Sequence, residues 1–134
     1  MQENIQNKHE YTDITIDHYL HPRNVGIIPD ATGAGTAGDQ EKGQIMIQIT
    51  LRCSNRVIED IRFRAFGCSA TIASASMVTE LAKGKTLEEA EAITSHVLLE
   101  ALGGLPQDKL YCADYATEAL HIAIKDAISR NSDG

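Results

Sequence analysis

Residues 45–82 read IMIQITLRCSNRVIEDIRFRAFGCSATIASASMVTELA, and two changes of pattern inside that stretch decide the fold. Ile45, Ile47, Ile49 and Leu51 alternate with Met46, Gln48, Thr50 and Arg52, the period of two that marks a half-buried strand. Ser54 and Asn55 supply a turn. Val57, Ile61, Phe63 and Ala65 then alternate with Arg62 and Arg64 as a second strand, antiparallel to the first, with the arginines at 52, 62 and 64 on the solvent face. At Phe66, Gly67 and Cys68 the sheet ends and a helix opens, running to about Ala82, where Lys83 and Gly84 close it. Residues 69–76 are almost all Ala, Ser, Thr and Ile, side chains small enough to let that helix lie close against its neighbours.

Reading outward from this unit, Thr12 or Asp13 caps a short helix over Ile14, Ile16, His18, Tyr19 and Leu20, which His21 and Pro22 terminate. Residues 24–44, with ATGAGTAGD at their centre, have the glycine content of a mobile surface loop. On the other side, Thr86 and Glu89 form a capping box, Ser95 starts a further helix, and residues 103–106 are a connector. From Ala113 a last helix shows Ala116, Ala119, Leu120, Ala123, Ile124, Ala127 and Ile128 on one face. Strands followed by helices, without βαβ alternation, predict an α+β fold: a small antiparallel sheet packed by helices. The expected organisation is one domain over residues 1–134, with 1–10 a flexible N-terminus.

The chain of 134 residues is 43% hydrophobic and 23% charged, globular values that exclude disorder. Twelve Lys and Arg against nineteen Asp and Glu give a net charge of −7, which argues against a sequence-independent grip on nucleic acid. No apolar run reaches the length of a membrane span, and residues 1–10 are too polar for a signal peptide, so the expected compartment is a reducing cytoplasm. Three cysteines, an odd count without CxxC spacing, are neither a disulfide framework nor a zinc module.

Two of those cysteines are expected at helix starts: Cys68 where a strand becomes a helix, and Cys112 just before the last helix. Unpaired backbone N–H groups and the positive end of the helix dipole favour a thiolate, the form that attacks sulfur or binds soft metal. Cys53, at a strand end beside a turn, reads as structural. His9, His96 and His121 read as surface residues, and His18 with His21 across a helix end is a poor metal spacing. No nucleophile elbow, zincin, P-loop or dinucleotide fingerprint occurs.

Three segments carry a resemblance. DHYLHPRNVG (17–26) is similar to the opening of the IscU/NifU iron–sulfur cluster assembly scaffolds, a family to which the SufU proteins are related. FGCSATIASASMVTE (66–80), followed by KGKTL (83–87), resembles their central cysteine helix, and LPQDKLYCAD (105–114) resembles the stretch around their third cysteine. The resemblance runs from about Tyr11 to Arg130 and implies an IscU/NifU N-terminal-like fold with its cluster site at one end of the molecule.

Those scaffolds use three cysteines and an aspartate, the first cysteine lying in a Cys-Gly-Asp run before the first long strand. The second and third correspond to Cys68 and Cys112. The first has no cysteine here: either Ala37, Gly38 and Asp39 are its remnant, or an ungapped count puts Lys42, Gly43 and Gln44 there. Tyr111 stands where the family has a histidine, and LPQDK (105–109) replaces the chaperone-recognition run Leu-Pro-Pro-Val-Lys. The resemblance implies a scaffold that binds or transfers an iron–sulfur cluster, [2Fe–2S] or [4Fe–4S], through Cys68 and Cys112. Two thiolates from each of two chains make the four that a cluster needs, so a homodimer is expected. Implied partners are a cysteine desulfurase and a protein that receives cluster or sulfur. Two alternatives stand beside this: a persulfide acceptor, with Cys112 taking the sulfur, and a non-catalytic binding or regulatory relative. Zinc is the alternative metal, held by Cys68, Cys112 and Asp39 with one tetrahedral position open.

Overall fold

The computed structural model describes residues 11–39 and 41–132. The expected flexible segment 1–10, and His9 with it, lies outside the described residues. In chain order the elements are α1 (Asp13–Leu20), β1 (Gly33–Asp39), β2 (Ile45–Ser54), β3 (Val57–Phe66), α2 (Ser69–Ala82), α3 (Leu87–Glu91), α4 (Ser95–Leu102), a 3-10 turn (Gln107–Lys109) and α5 (Leu110–Ser132). The three strands form one antiparallel sheet in the order β1-β2-β3. This is the α+β arrangement that the strand-then-helix order predicts.

The alternation in β2 turns Ile47, Ile49 and Leu51 into the core, where they meet Ile58, Ile61 and Phe63 of β3 and the inward faces of α2 and α5. The β2–β3 hairpin differs from its expected phase. Its two-residue turn is Asn55 and Arg56, both at positive φ (54° and 66°), not Ser54 and Asn55. A bulge then places Arg52 opposite Asp60 but Cys53 opposite Ile58, leaving Glu59 as the extra residue. As a result Ile58 is buried (0% exposed) and Val57 is not (36%), the reverse of the strict alternation.

The glycine-rich stretch is the largest correction. Residues 33–39 are not a mobile loop but an edge strand paired with β2 from Gly33↔Leu51 to Asp39↔Ile45. The glycines are there because α5 lies directly on them. A Cβ on Gly33 would stand 2.4 Å from the Ala123 carbonyl oxygen, and one on Gly35 2.4 Å from that of Ala119. Of the segment, residues 24–32 and 41–44 lie outside the strands, and in the second of these Gly43 N–H closes a turn onto the Asp39 carbonyl at 2.8 Å.

The small residues of α2 behave as expected: most of the helix is buried, between the sheet, α1 and α5. The capping box of Thr86 and Glu89 is present in full. Helix α5 begins at Leu110, earlier than expected, so Cys112 lies inside its first turn and not ahead of it. Among the described residues no helix is long and apolar enough to cross a membrane.

Candidate functional site

Strand β3 ends at Phe66, and Gly67, at φ 148°, turns the chain into α2 with Cys68 as its N-cap. A side chain at Gly67 would run into Thr71, with a Cβ 2.6 Å from its Oγ1. The start of α5 meets this corner from the other side. Cys112 packs with Ile45 and Ala70 in a small apolar cluster separate from the main core. Two helix N-termini thereby bring two sulfurs together: Cys68 Sγ and Cys112 Sγ are 4.0 Å apart. Thr71 Oγ1, one turn into α2, is 3.6 Å from the first sulfur and 3.5 Å from the second. Nothing in the cysteine pattern marks Thr71 in advance; its signal is the spacing of three from an N-cap, which points it back at the capping side chain.

The two thiols differ. Cys112 is fully buried (0% exposed), and burial, with the neighbouring Cys68 sulfur, pushes its pKa up to about 11 against a partial offset from Thr71. Cys68 is half-buried. Burial raises its pKa too, but the Thr71 hydroxyl, the Thr71 and Ala70 N–H groups at the helix start and the Lys109 charge together outweigh it, so the net shift is downward. The accessible sulfur, and the one whose ionisation its surroundings favour, is therefore Cys68, whereas the sequence reading puts sulfur acceptance at Cys112.

Cys68 opens on a cleft of about 430 Å³, lined also by Asp39, Lys42, Gln44, Ile45, Gly67, Thr71, Tyr111 and Tyr115. This separates the two candidates for the missing first cysteine. Ala37 is buried in the main core opposite Ile47, whereas Lys42 and Gln44 line the cleft with Cys68. Asp39 lines it too, with its Oδ1 accepting from Lys42 N–H at 3.2 Å. Among the described residues no three His, Cys, Asp or Glu side chains converge as a metal site, so the cysteines meet as a pair with Asp39 beside them on the cleft wall. Tyr111 touches Cys112 and makes an edge-to-face contact with Tyr115, ring centroids 6.1 Å apart.

The remaining candidates lie elsewhere. Cys53 packs against the main core with its sulfur 3.5 Å from Thr32 Oγ1, in keeping with a structural reading. His96 and His21 are exposed. His121 is not a plain surface residue: its Nε2 is 2.7 Å from the Ile93 carbonyl oxygen. His18 is buried with Nδ1 2.8 Å from Ser76 Oγ, and so is no partner for His21.

The chain matches the model of the NifU-like N terminal domain over residues 10–133. It belongs to that family. The iron-sulfur cluster assembly scaffold protein IscU 1 of Archaeoglobus fulgidus is 50% identical over 121 residues, covering 90% of this chain and 78% of that protein. IscU of Azotobacter vinelandii is 42% identical over 121 residues, covering 87% and 92%. The fold alone is shared with a nitrogen-fixing NifU-like protein (N-terminal) from Brucella abortus, at 17% identity and a TM-score of 0.62 over 92% of this chain and 95% of that one. The sequence resemblance and the architecture thus agree with these comparisons across nearly the whole chain.

Proposed function

We propose that this protein is a scaffold or carrier that binds an iron–sulfur cluster as cargo through Cys68 and Cys112. The observation that carries the reading is the 4.0 Å sulfur–sulfur separation. A tetrahedral metal with metal–sulfur bonds of about 2.3 Å has edges of about 3.8 Å, so the pair fits two corners of one tetrahedral site with a small adjustment. One chain then leaves half of a [2Fe–2S] cluster without thiolate, and a second copy supplies it. Phe66, Leu110 and Tyr111 leave apolar side chains exposed on the segments next to the cleft, the kind of surface a second copy covers. Sulfur comes from a cysteine desulfurase, as the family's chemistry implies, and the cluster goes on to a recipient protein in a reducing cytoplasm.

Anaerobic reconstitution with ferrous iron and sulfide tests this. The expected product has sulfide-to-iron charge-transfer bands in the visible and the mass of two chains. A colourless complex with one zinc per chain would support the zinc reading instead, with Asp39 giving up its turn hydrogen bond to become the oxygen ligand. Protein that binds neither metal overturns both and favours a non-catalytic relative.

A second reading has its own support. Cys68 is accessible, lies near Lys109 and shares its cleft with Lys42, and two ammonium groups suit an anionic persulfide better than they suit ferrous iron. In this reading Cys68 accepts a sulfur atom from a persulfide donor.

A further inference from the structure

The two sulfurs are unequal in access and close in space, and together those facts order a reaction. Cys68 is half-buried on the cleft, whereas Cys112 is 0% exposed behind it. A donor can reach only Cys68. Cys112 can reach only what Cys68 already carries, 4.0 Å away.

We infer that Cys112 is a resolving cysteine, which attacks a persulfide on Cys68 and expels its outer sulfur as sulfide. The inference rests on the persulfide-acceptor reading above. In the first step the Cys68 thiolate attacks the outer sulfur of a persulfide donor, RS–SH. The donor's S–S bond breaks, RS⁻ leaves, and Cys68 carries S–SH. In the second step Cys112 Sγ attacks Cys68 Sγ. A Cys68–Cys112 bond forms, the bond to the outer sulfur breaks, and that sulfur departs with its own hydrogen and the Cys112 proton as H₂S. The outer sulfur is reduced by two electrons and the two cysteines are oxidised to a disulfide, so no other oxidant or reductant is needed for one turnover. An external dithiol then reduces the disulfide and resets the site.

Three further features favour this course. The sulfurs must close from 4.0 Å to about 2.05 Å, a movement within reach of side-chain rotation at the two helix starts. Thr71 Oγ1, at 3.6 and 3.5 Å, lies within reach of both sulfurs and can hydrogen-bond whichever carries charge. Cys53, the remaining thiol of the chain, packs against the main core and does not line the cleft, so nothing else in the chain can resolve the persulfide. The place in a sequence follows: a persulfide-forming reaction supplies the substrate, and a thiol–disulfide exchange consumes the oxidised product. The sulfide released is the inorganic ingredient that cluster formation requires.

The test uses the full chain, reduced, freed of small thiols and kept anaerobic. It is loaded with glutathione persulfide, desalted rapidly, and followed by sulfide assay and intact mass with peptide mapping. Wild type should release sulfide equimolar with the sulfur loaded and end as a Cys68–Cys112 disulfide lighter by two hydrogens. Cys112→Ser, with Cys112→Ala as a second variant should serine disturb the buried site, should keep one extra sulfur on Cys68 and release sulfide only at the protein-free level. Cys53→Ser should match wild type. Wild type that holds its persulfide on Cys68 as stably as the Cys112 variants would overturn the resolving role while leaving the acceptor reading intact. Cys112 variants that never load sulfur on Cys68 would overturn the acceptor reading, and the resolving role with it.

Discussion

Helix α2 takes part in two clusters of buried or half-buried side chains with lone pairs or weak donors, the first shared with α5 through Cys112 and the second with α1, and they differ in how well each is partnered. In its second half, Ser76 Oγ accepts from Arg23 N–H at 2.9 Å and lies 2.8 Å from His18 Nδ1, while Thr79 Oγ1 donates to the Ser76 carbonyl at 2.7 Å and accepts from Asn24 Nδ2 at 3.1 Å. At its first turn, Cys68, Thr71 and Cys112 stand 3.5 to 4.0 Å from one another, contacts at the weak end for sulfur. The same helix thus shows polar groups committed to holding α1 in place and sulfurs left with bonding capacity. Chemistry is expected at the second kind of place, because a group whose partners are already good gains little from a ligand.

The largest effect expected from that difference is an all-or-none one. Cys68→Ser and Cys112→Ser should each abolish cluster retention in anaerobic reconstitution, read as loss of the visible bands, while Cys53→Ser retains them. Equal loss from Cys53→Ser would end the assignment of the site to the two helix starts.

Substitutions in committed regions should instead cost stability. Gly35→Ala forces a methyl group to within 2.4 Å of the Ala119 carbonyl oxygen and 2.5 Å of Ala123 N, so α5 has to move off β1. We expect about 3 kcal/mol of lost stability in urea unfolding, at the upper end for overpacking. Gly43→Ala, with nothing within 4 Å but φ at +65°, should cost about 1 kcal/mol for its left-handed backbone alone. Similar losses at the two sites would mean that α5 does not rest on β1 as described.

Gly33 and Gly35 also explain what the sequence hides. Residues 33–39 look like a loop because glycine is read locally, as conformational freedom. Here it serves a contact more than eighty residues away in the chain, which no window along the sequence contains. The β3 phase is lost for a related reason: one bulge residue, Glu59, exchanges the roles of Val57 and Ile58. Elements whose signal is self-contained are legible, among them the alternation of β2, the run of small residues in α2 and the Thr86–Glu89 box. At the site, the helix-start position of Cys68 is legible because a strand-to-helix change leaves a local mark, and that of Cys112 to within a few residues because the apolar period of α5 begins beside it. The approach of Thr71 to Cys112 and the inequality of the two thiols are not, because both depend on how α5 packs against α2.

The choice between Ala37 and Lys42 sharpens the comparison at intermediate scale. Lys42 lines the cleft, so Lys42→Cys adds a thiolate beside Cys68 and should lengthen cluster lifetime against a chelator several-fold, with a shift of the loaded form toward one chain. Ala37 faces the main core, so Ala37→Cys should leave the lifetime unchanged and lower stability. Longer retention from Ala37→Cys alone would mean that the β1–β2 connection sits differently when the site is filled.

The smallest effect expected belongs to the committed half of α2. Burial lowers the His18 pKa below its ordinary value of 6.5 and the Arg23 charge lowers it further, against opposing pulls from Asp17 and Glu80. Ser76 Oγ accepts from Arg23 N–H and keeps its own hydrogen, which the neutral His18 ring that burial favours can accept at Nδ1. Between the folded and unfolded pKa values the unfolded chain binds a proton that the native chain refuses, so stability rises with pH in that window. It is fully present above about pH 7.5, declines as the pH falls through the unfolded value near 6.5, and levels off below the folded one. Unfolding free energies measured from pH 8 to 5 should show this slope in wild type and a shallower one in His18→Gln, whose amide cannot titrate. Cluster retention at pH 8 should be the same in both, since the two regions share a helix but no partner. Parallel pH slopes would mean that folding leaves the His18 pKa where it stands in the unfolded chain, and a wild-type slope shifted in the opposite sense would mean that the native chain holds the ring protonated, with the imidazole donating to the Ser76 hydroxyl.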